Sequence, residues 1–170
     1  IQTALVGLGA VRFGQEALGA ASEFEAALGQ VKIVAGDSGK SIQELQGFLV
    51  DLSKTTPVGL VDLTNSLGDA IGKLPKGANQ AALAIDALNA AQAAARASGS
   101  SAGQVLDGII PILNTYGKTG ITAAQITDKL FAAFDQGGAT VPELSASLGQ
   151  IVGISSQFGI SIDELLGSIS

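Results

Sequence analysis

The spacing of apolar residues along the chain predicts helices. Between its glycine and proline breaks, apolar side chains recur three and four positions apart, which is the period of an α-helix with one buried face. No stretch keeps the alternation of apolar and polar residues that a half-buried strand requires. The pattern therefore predicts an all-α fold of about eight helices, in which a long N-terminal helix is followed by short amphipathic helical hairpins.

The last part of the chain, residues 120–170, predicts three short helices that each begin at a hydroxyl residue. The first begins near Thr122, and Gly159 ends the second, which has Pro142 in its first turn, where a missing N–H costs nothing. Two predicted capping boxes pair a hydroxyl with a glutamate three positions later, Thr140 with Glu143 and Ser161 with Glu164. The expected apolar faces are Ile126, Leu130 and Phe134 for the first helix, and Val141, Leu144, Leu148, Ile151 and Phe158, interrupted by Ser155, for the second.

Residues 1–35 form one long helical pattern with small residues on one face. The spacing is the a/d rhythm of a coiled coil, which predicts that the helix associates with another copy through a nearly smooth seam. The seam residues are Gly7, Ala10, Gly14, Ala17, Ala21, Phe24 and Leu28. We expect two parts, residues 1–35 as this long helix and residues 36–170 as a multi-helix core region. Because the pattern is already under way at Ile1, we also expect the chain to be a portion of a longer protein.

Four more helices are predicted between residues 41 and 116. They begin at Ser41, after Pro57, near Gln80 and at Ala102, and Pro111 is expected to kink or split the last one. The stretch 98–101, Ser-Gly-Ser-Ser, is the most linker-like part of the chain. The expected buried residues are Ile42, Leu45, Leu49 and Leu52; Leu60, Leu63, Leu67, Ile71 and Leu74; Leu83, Ala87 and Leu88; and Val105, Leu106, Ile109 and Leu113.

Two pairs of segments in the chain are similar to each other. Residues 63–72 (LTNSLGDAIG) resemble residues 144–153 (LSASLGQIVG), and residues 39–45 (GKSIQEL) resemble residues 159–165 (GISIDEL). The two offsets are 81 and 120 residues, so the sequence does not indicate one regular repeat. Short capped helices resemble one another for local reasons, and a degenerate duplication of a helical hairpin is the alternative.

Composition and charge exclude several classes of function. The chain has no cysteine and no histidine, which removes thiol catalysis, zinc–thiolate sites, most other metal sites and the Ser-His-Asp arrangement. A net charge of −6, with only nine basic residues, argues against a nucleic-acid interface. Glycine (23 residues) and alanine are abundant and aromatic residues are only 4%, so helices can approach closely while each side chain buries little area.

The one motif that suggests chemistry is the segment Gly-Asp-Ser-Gly-Lys-Ser at residues 36–41. A phosphate-binding loop needs glycine six positions before the lysine, and Val34 stands there; the segment is better explained as a glycine break before a serine-capped helix. The carboxylate pairs Glu23/Glu25, Asp163/Glu164 and Glu44/Asp51 read as solvated faces and caps, and Tyr116 as a packing residue. The sequence predicts no catalytic, cofactor-binding or metal-binding residues, and hence no enzyme.

A membrane-active helical module, such as a pore or fusion segment, is the alternative class. The run from Ile1 to Val11 is apolar and contains glycine, but Arg12 ends it well short of the roughly 20 residues that a span needs. This alternative predicts a membrane as the partner of this helix.

Three segments together resemble one known family. They are residues 24–45 (FEAALGQVKIVAGDSGKSIQEL), residues 101–117 (SAGQVLDGIIPILNTYG), and residues 121–169, in which Thr127-Asp128-x-Leu130-Phe131, Leu148-Gly149 and Gly159-Ile160-Ser161-x-Asp163-Glu164-Leu165 follow in order. The chain resembles the core region of phage tail tape measure proteins, also called phage minor tail proteins.

The resemblance implies a structural protein of a tailed bacteriophage. Such proteins lie along the tail-tube lumen or tip, set the length of the tube and template its assembly, and leave ahead of the genome during ejection. The implied partners are tail tube and tail tip proteins, further copies of the chain and the host membrane, with no specific nucleic acid. The family supplies no catalytic residues for this segment.

Overall fold

The computed structural model describes the backbone of residues 2–36, 38–137 and 140–168, and side chains within residues 19–36, 38–133, 140 and 143–168. This part of the chain contains eight α-helices, a short 3₁₀ helix (Gly117–Thr119) and no strand, which confirms the all-α prediction. The helices are α1 (Gln2–Ala35), α2 (Ile42–Thr55), α3 (Leu60–Lys73), α4 (Gln80–Ser98), α5 (Ala102–Tyr116), α6 (Ala123–Gly137), α7 (Val141–Gln157) and α8 (Ile162–Gly167).

The predicted capping boxes fix where helices begin. The Ser41 N–H donates to Glu44 Oε2 at 2.8 Å, and the Glu44 N–H donates back to Ser41 Oγ at 3.3 Å. Ser161 and Glu164 repeat this arrangement at the start of α8, and the Thr140 N–H donates to Glu143 Oε2 at 2.8 Å before α7. Two further boxes use glutamine instead of glutamate, Ser101 with Gln104 and Thr122 with Gln125. Each box satisfies backbone donors that the first turn of a helix leaves free.

The helices form two layers. The odd-numbered helices lie in one row, in which α3 contacts α1 and α5, and α5 contacts α7. In the second layer, α4 packs on α3, α5 and α6, and α6 also contacts α8. The linker-like stretch at residues 98–101 is a tight turn between packed helices, because Gly99 adopts a left-handed conformation and Ser101 already caps α5. A single core of leucine, isoleucine, valine and alanine side chains runs between the layers.

The last turns of α1 belong to this core. Leu28, Val31 and Ala35 are buried in it, and Phe24 packs half-buried against it. Val31 and Val34 approach the glycines of α3, where an added Cβ would stand 3.3 Å from each valine methyl group. The apolar contacts of these turns are with residues 36–170. The division of the chain after residue 35 stays a prediction.

Most of the predicted apolar faces are confirmed, and two residues were misplaced. Leu83 is 39% exposed. Because an α-helix turns by about 100° per residue, Leu83 lies about 140° around the axis of α4 from the buried Leu88. The buried face of α4 consists mostly of alanines. Phe158 is 78% exposed. The buried face of α7 continues from Leu148 to Val152 and Ser155, and α7 ends before Phe158, so the heptad spacing overshot the helix. Phe134 and Val141, predicted on apolar faces, have side chains outside the described residues.

Pro111 does not split the helix, because α5 is continuous from Ala102 to Tyr116; a kink at Pro111 stays a prediction. The proline removes one backbone donor, but it is flanked on both sides by buried apolar residues that hold the two halves of the helix on their neighbours. These residues are Ile109, Ile110, Ile112 and Leu113. Tertiary packing therefore outweighs the local preference for a break.

A period of 81 residues runs through the structure, and the similarity of residues 63–72 to residues 144–153 is the part of it that the sequence showed. The end of α1 corresponds to α5, α2 to α6, and α3 to α7, with matching burial. The buried pairs are Ala27/Gly108, Leu28/Ile109, Val31/Ile112 and Ala35/Tyr116; Leu45/Ile126, Leu49/Leu130 and Leu52/Ala133; and Leu63/Leu144, Thr64/Ser145, Leu67/Leu148, Ile71/Val152 and Leu74/Ser155. Accordingly α1 packs on α3 as α5 packs on α7. The 120-residue similarity is confined to helix starts, since Gly39 and Gly159 are both left-handed and both precede a serine cap.

Candidate interaction surfaces

The glycine-lysine-serine motif is the start of a helix. Gly39 has φ +87°, and a Cβ at this position would lie 1.6 Å from the Ala78 carbonyl oxygen, so only glycine fits. Lys40 Nζ lies 3.3 Å from Glu44 Oε1, and Ser41 caps α2. Hydrogen bonds from the Ser41 backbone and hydroxyl, together with Lys40, lower the pKa of the Glu44 carboxyl. Lys40 and Ser41 are thus used locally, whereas Ser38 Oγ is buried without a hydrogen-bond partner among the described residues, and Asp37 lies outside them.

The carboxylates named by the sequence are dispersed over the surface. Glu23 and Glu25 are exposed on α1, and Asp51 forms an ion pair with Lys54 on α2. Asp163 pairs with Lys129, whereas Glu164 beside it caps α8. Within the described residues, no three acidic side chains come close enough to hold a metal ion. None of these pairs forms a shared site.

Tyr116 is a packing residue that also ties two helices together. Its ring is buried, and its hydroxyl donates a hydrogen bond of 2.7 Å to the Ile160 carbonyl oxygen just before α8. Burial raises the pKa of the Tyr116 phenol. The phenol therefore fastens the short last helix to the end of α5, 44 residues away in the chain.

Sequence analysis missed a groove that lies where α3, α4 and α5 meet. It has a volume of about 700 Å³ and is lined mainly by the ends of α4 and α5. Gln92 lines it and is only 2% exposed, and its amide nitrogen has no hydrogen-bond partner among the described residues. Arg96 and Asp62 stand at its wall. The only sequence signal was a glutamine within an alanine-rich helix.

Large apolar side chains are exposed on the first and last helices of the odd-numbered row. Ile33 of α1 is 74% exposed and Ile154 of α7 is 59% exposed, while Phe158 and Ile160 follow directly after α7. Exposure of such side chains to water is unfavourable by about 25 cal/mol per Å² of apolar area. These two surfaces are therefore candidates for contact with another protein.

The predicted self-association seam on α1 is described only at its C-terminal end. The side chains of Gly7, Ala10, Gly14 and Ala17 lie outside the described residues. Ala21 is exposed, Phe24 is half-buried and Leu28 is buried against this chain's own core. Leu28 is consequently engaged within the chain.

Among the described residues, no helix combines the length and the hydropathy that a transmembrane span requires.

A sequence profile described as Phage-related minor tail protein matches residues 49–170, which is most of the chain. No curated protein and no solved structure matches the chain.

Proposed function

Because this chain belongs to the phage-related minor tail protein family, we propose that it is part of the tape measure protein of a bacteriophage tail. The family places it among the structural components of the phage tail, where it associates with other tail proteins. The proposed finer role is to lie in the tail tube or tip, to set the length of the tube and to template its assembly. The match over residues 49–170 carries this proposal.

The architecture supports such a role. Helices arranged in a row with a period of 81 residues make an elongated object whose extent increases with the number of units. A protein that measures length by its own extent needs this property, because each added unit contributes a fixed increment.

The charge and the composition support a role in genome ejection. The chain carries a net charge of −6, so its surface repels DNA that passes through the same channel. Aromatic residues are only 4%, and much of the core is alanine, so each buried side chain contributes little area. A core of this kind gives little stability per residue, which suits a protein that has to unpack and leave the tube before the genome.

Self-association through the α1 seam and contact with the host membrane belong to this proposal as well. The glycine and alanine spacing at residues 7–21 supports close packing of α1 on a second helix. We propose a structural role without catalysis, because the polar groups of the candidate motifs are engaged in caps and ion pairs.

The proposal predicts that tail length follows the number of 81-residue units. Deleting residues 36–116 in the phage joins Ala35 to Gly117, so the end of α1 takes the place of its counterpart α5 and the helix packing is kept. The two odd-numbered helices that are removed lie side by side in the row, where packed helices are about 8–10 Å apart, so the tails should shorten by about 20 Å if the row itself lies along the tail. If the helices instead lie end to end in the tube, at about 1.5 Å per helical residue, the loss should be about 120 Å, and a tandem duplication of the same segment should lengthen the tails by the same amount in either case. Electron microscopy of the virions measures both. Tails of unchanged length in both phages would contradict the tape measure role and leave only the family's general role in the tail.

A further inference from the structure

The row of odd-numbered helices has an open face at each end. In the described part of the row, helix α3 lies between α1 and α5, whereas its counterpart α7 has a row neighbour, α5, on one side and also contacts α6. Likewise α5 lies between α3 and α7, whereas its counterpart, the end of α1, has a row neighbour, α3, on one side and also contacts α2. The contact between α3 and α5 therefore shows what the open faces of α7 and α1 would meet if the row continued.

The contact between α3 and α5 has a polar part. Lys73 Nζ on α3 lies 2.9 Å from Asp107 Oδ1 on α5. Asn114 Nδ2, two turns further along α5, donates a hydrogen bond of 2.9 Å to the Lys73 carbonyl oxygen. Beside these groups, Ala70 of α3 faces Leu106 and Ile110 of α5 across a narrow cleft of about 100 Å³. A small residue on one helix thus receives large residues from the other.

On the open faces, the polar part is replaced by apolar residues on both sides. The counterpart of Lys73 is Ile154 on α7, and the counterparts of Asp107 and Asn114 are Ala26 and Ile33 on α1. Ile33 and Ile154 are the strongly exposed isoleucines described above. A change on one face alone would set a charge against an apolar side chain, whereas this joint change keeps the two faces compatible.

The remaining positions also change in a complementary way. Where Ala70 receives Ile110 inside the chain, the open faces carry Ile151 on α7 and Gly29 on α1, so the large and the small residue have exchanged sides. Where Asp69 lies near Leu106, the open faces carry Gln150 and Glu25, an amide donor and a carboxylate acceptor. Ser22, Glu25, Ala26, Gly29 and Ile33 are all exposed on α1.

From this complementarity we infer that α7 binds α1 of a second copy of this chain, in the way that α5 packs on α3. The contact joins two different faces, so it is heterologous and each bound copy presents the same free face again. Such copies form a row of units in which Ile33 of one chain packs on Ile154 of the next. This face of α1 is distinct from the seam that contains Leu28, which is buried within the chain.

Cross-linking tests the geometry, because the chain has no cysteine of its own. Ala26→Cys and Ile154→Cys are made in separate chains, mixed and treated with a short bis-maleimide. We expect a covalent heterodimer, and a ladder of covalent oligomers when both changes are in one chain. The matched control pairs Ala26→Cys with Leu83→Cys on α4, since Leu83 is also an exposed aliphatic residue but lies outside both faces. Yields no higher than the control, or a double variant that links only within one chain, would overturn the inference.

A charge exchange tests the energetics in solution. Ile154→Lys should weaken self-association at least tenfold in analytical ultracentrifugation, and mixing this variant with Ala26→Asp should restore most of it by rebuilding the Lys73–Asp107 pair between chains. Leu83→Lys should leave association unchanged. The inference fails if the wild-type chain stays monomeric at every concentration tested, or if Ile154→Lys associates as strongly as wild type, as association through the α1 seam alone would allow. Circular dichroism checks that these exposed substitutions leave the helices intact.

Discussion

Single buried polar side chains hold the ends of helices in this protein. Gln80 is the first residue of α4 and is buried, and its amide nitrogen donates to the carbonyl oxygens of Ile71 at 2.6 Å and Leu74 at 3.0 Å. The last carbonyls of α3 have no partner within their own helix. One side chain from the following helix therefore completes the end of the preceding one.

Gln80→Met should destabilise the protein by about 1–3 kcal/mol, because it keeps the volume of the side chain but leaves the Leu74 carbonyl oxygen without the Gln80 donor and the Ile71 carbonyl oxygen with the Leu74 N–H alone. Asn79→Ala is the matched control, since Asn79 is exposed and its side chain makes no capping hydrogen bond. Urea denaturation of both variants measures the two free energies of unfolding. Equal stabilities would mean that the Gln80 amide does not support the end of α3.

At the scale of the helices, stability depends on how closely two backbones approach and on how each helix begins. Gly108 of α5 lies against Ser145 of α7, and a Cβ on Gly108 would stand 2.6 Å from the serine hydroxyl and 3.4 Å from its Cα. Gly47 of α2 has nothing within 4 Å of the same position. The same substitution at these two helical glycines should therefore have opposite effects.

Gly108→Ala should destabilise the protein by about 1–3 kcal/mol, because the added methyl group forces α5 and α7 apart. Gly47→Ala should stabilise it by about 0.5–1 kcal/mol, because alanine restricts the unfolded chain and meets no clash in the helix. Thermal unfolding of both variants gives the signs. A stabilising Gly108→Ala would show that Ser145 moves aside and that this helix contact is loose.

The capping boxes should make stability depend on acid pH. Hydrogen bonds to the capping residues lower the pKa of Glu44, Glu143 and Glu164 below its ordinary value of 4.5. The unfolded chain therefore binds more protons as the pH falls below about 4.5, so the stability that these carboxylates contribute is present above that pH and is lost in acid. The protein has no histidine, so no comparable change is expected between pH 6 and 8.

Replacing the three glutamates by glutamine should flatten this acid dependence. Glutamine keeps the capping box, as Gln104 and Gln125 do elsewhere in the chain, but it does not titrate. Melting temperatures measured from pH 7 to pH 3 should fall less in the triple variant than in the wild type. An equal fall in both proteins would place the acid sensitivity in other carboxyl groups.

At the scale of the whole molecule, α4 couples the two 81-residue units. It packs on α3 of the first unit and on α5 and α6 of the second, and its buried face is mostly alanine. Leu88 is the large apolar side chain on that face and is fully buried. A substitution that disturbs the packing of α4 should therefore destabilise both units.

Leu88→Ala should cost about 2–5 kcal/mol and reduce the hydrogen-exchange protection of both units together. Leu166→Ala in α8 is the control, because α8 contacts the second unit through α6. That variant should loosen amides of the second unit and leave α2 and α3 protected. If Leu88→Ala reduced the protection of one unit alone, the two units would be independent, and α4 would not couple them.

The sequence by itself determined the helices. Hydroxyl–glutamate boxes at Ser41, Thr140 and Ser161 and the apolar spacing of Leu45, Leu49 and Leu52 are local signals, and local backbone chemistry is enough to read them. The family resemblance was readable for the same reason, because it rests on the order of such segments. The profile match supports the phage minor tail family, and the tape measure role stays a proposal.

Only the tertiary structure decided which faces are covered. The alanine face of α4, the exposed Phe158 and the unbroken α5 each depend on neighbours that are distant in sequence. The period of 81 residues was visible in the sequence only where residues 63–72 resemble residues 144–153, because other pairs that carry it, such as Ala27 with Gly108 or Leu74 with Ser155, share burial but not residue type. Burial is a property of the packed helices, so the open faces of α1 and α7 could be recognised only once α3 and α5 were seen together.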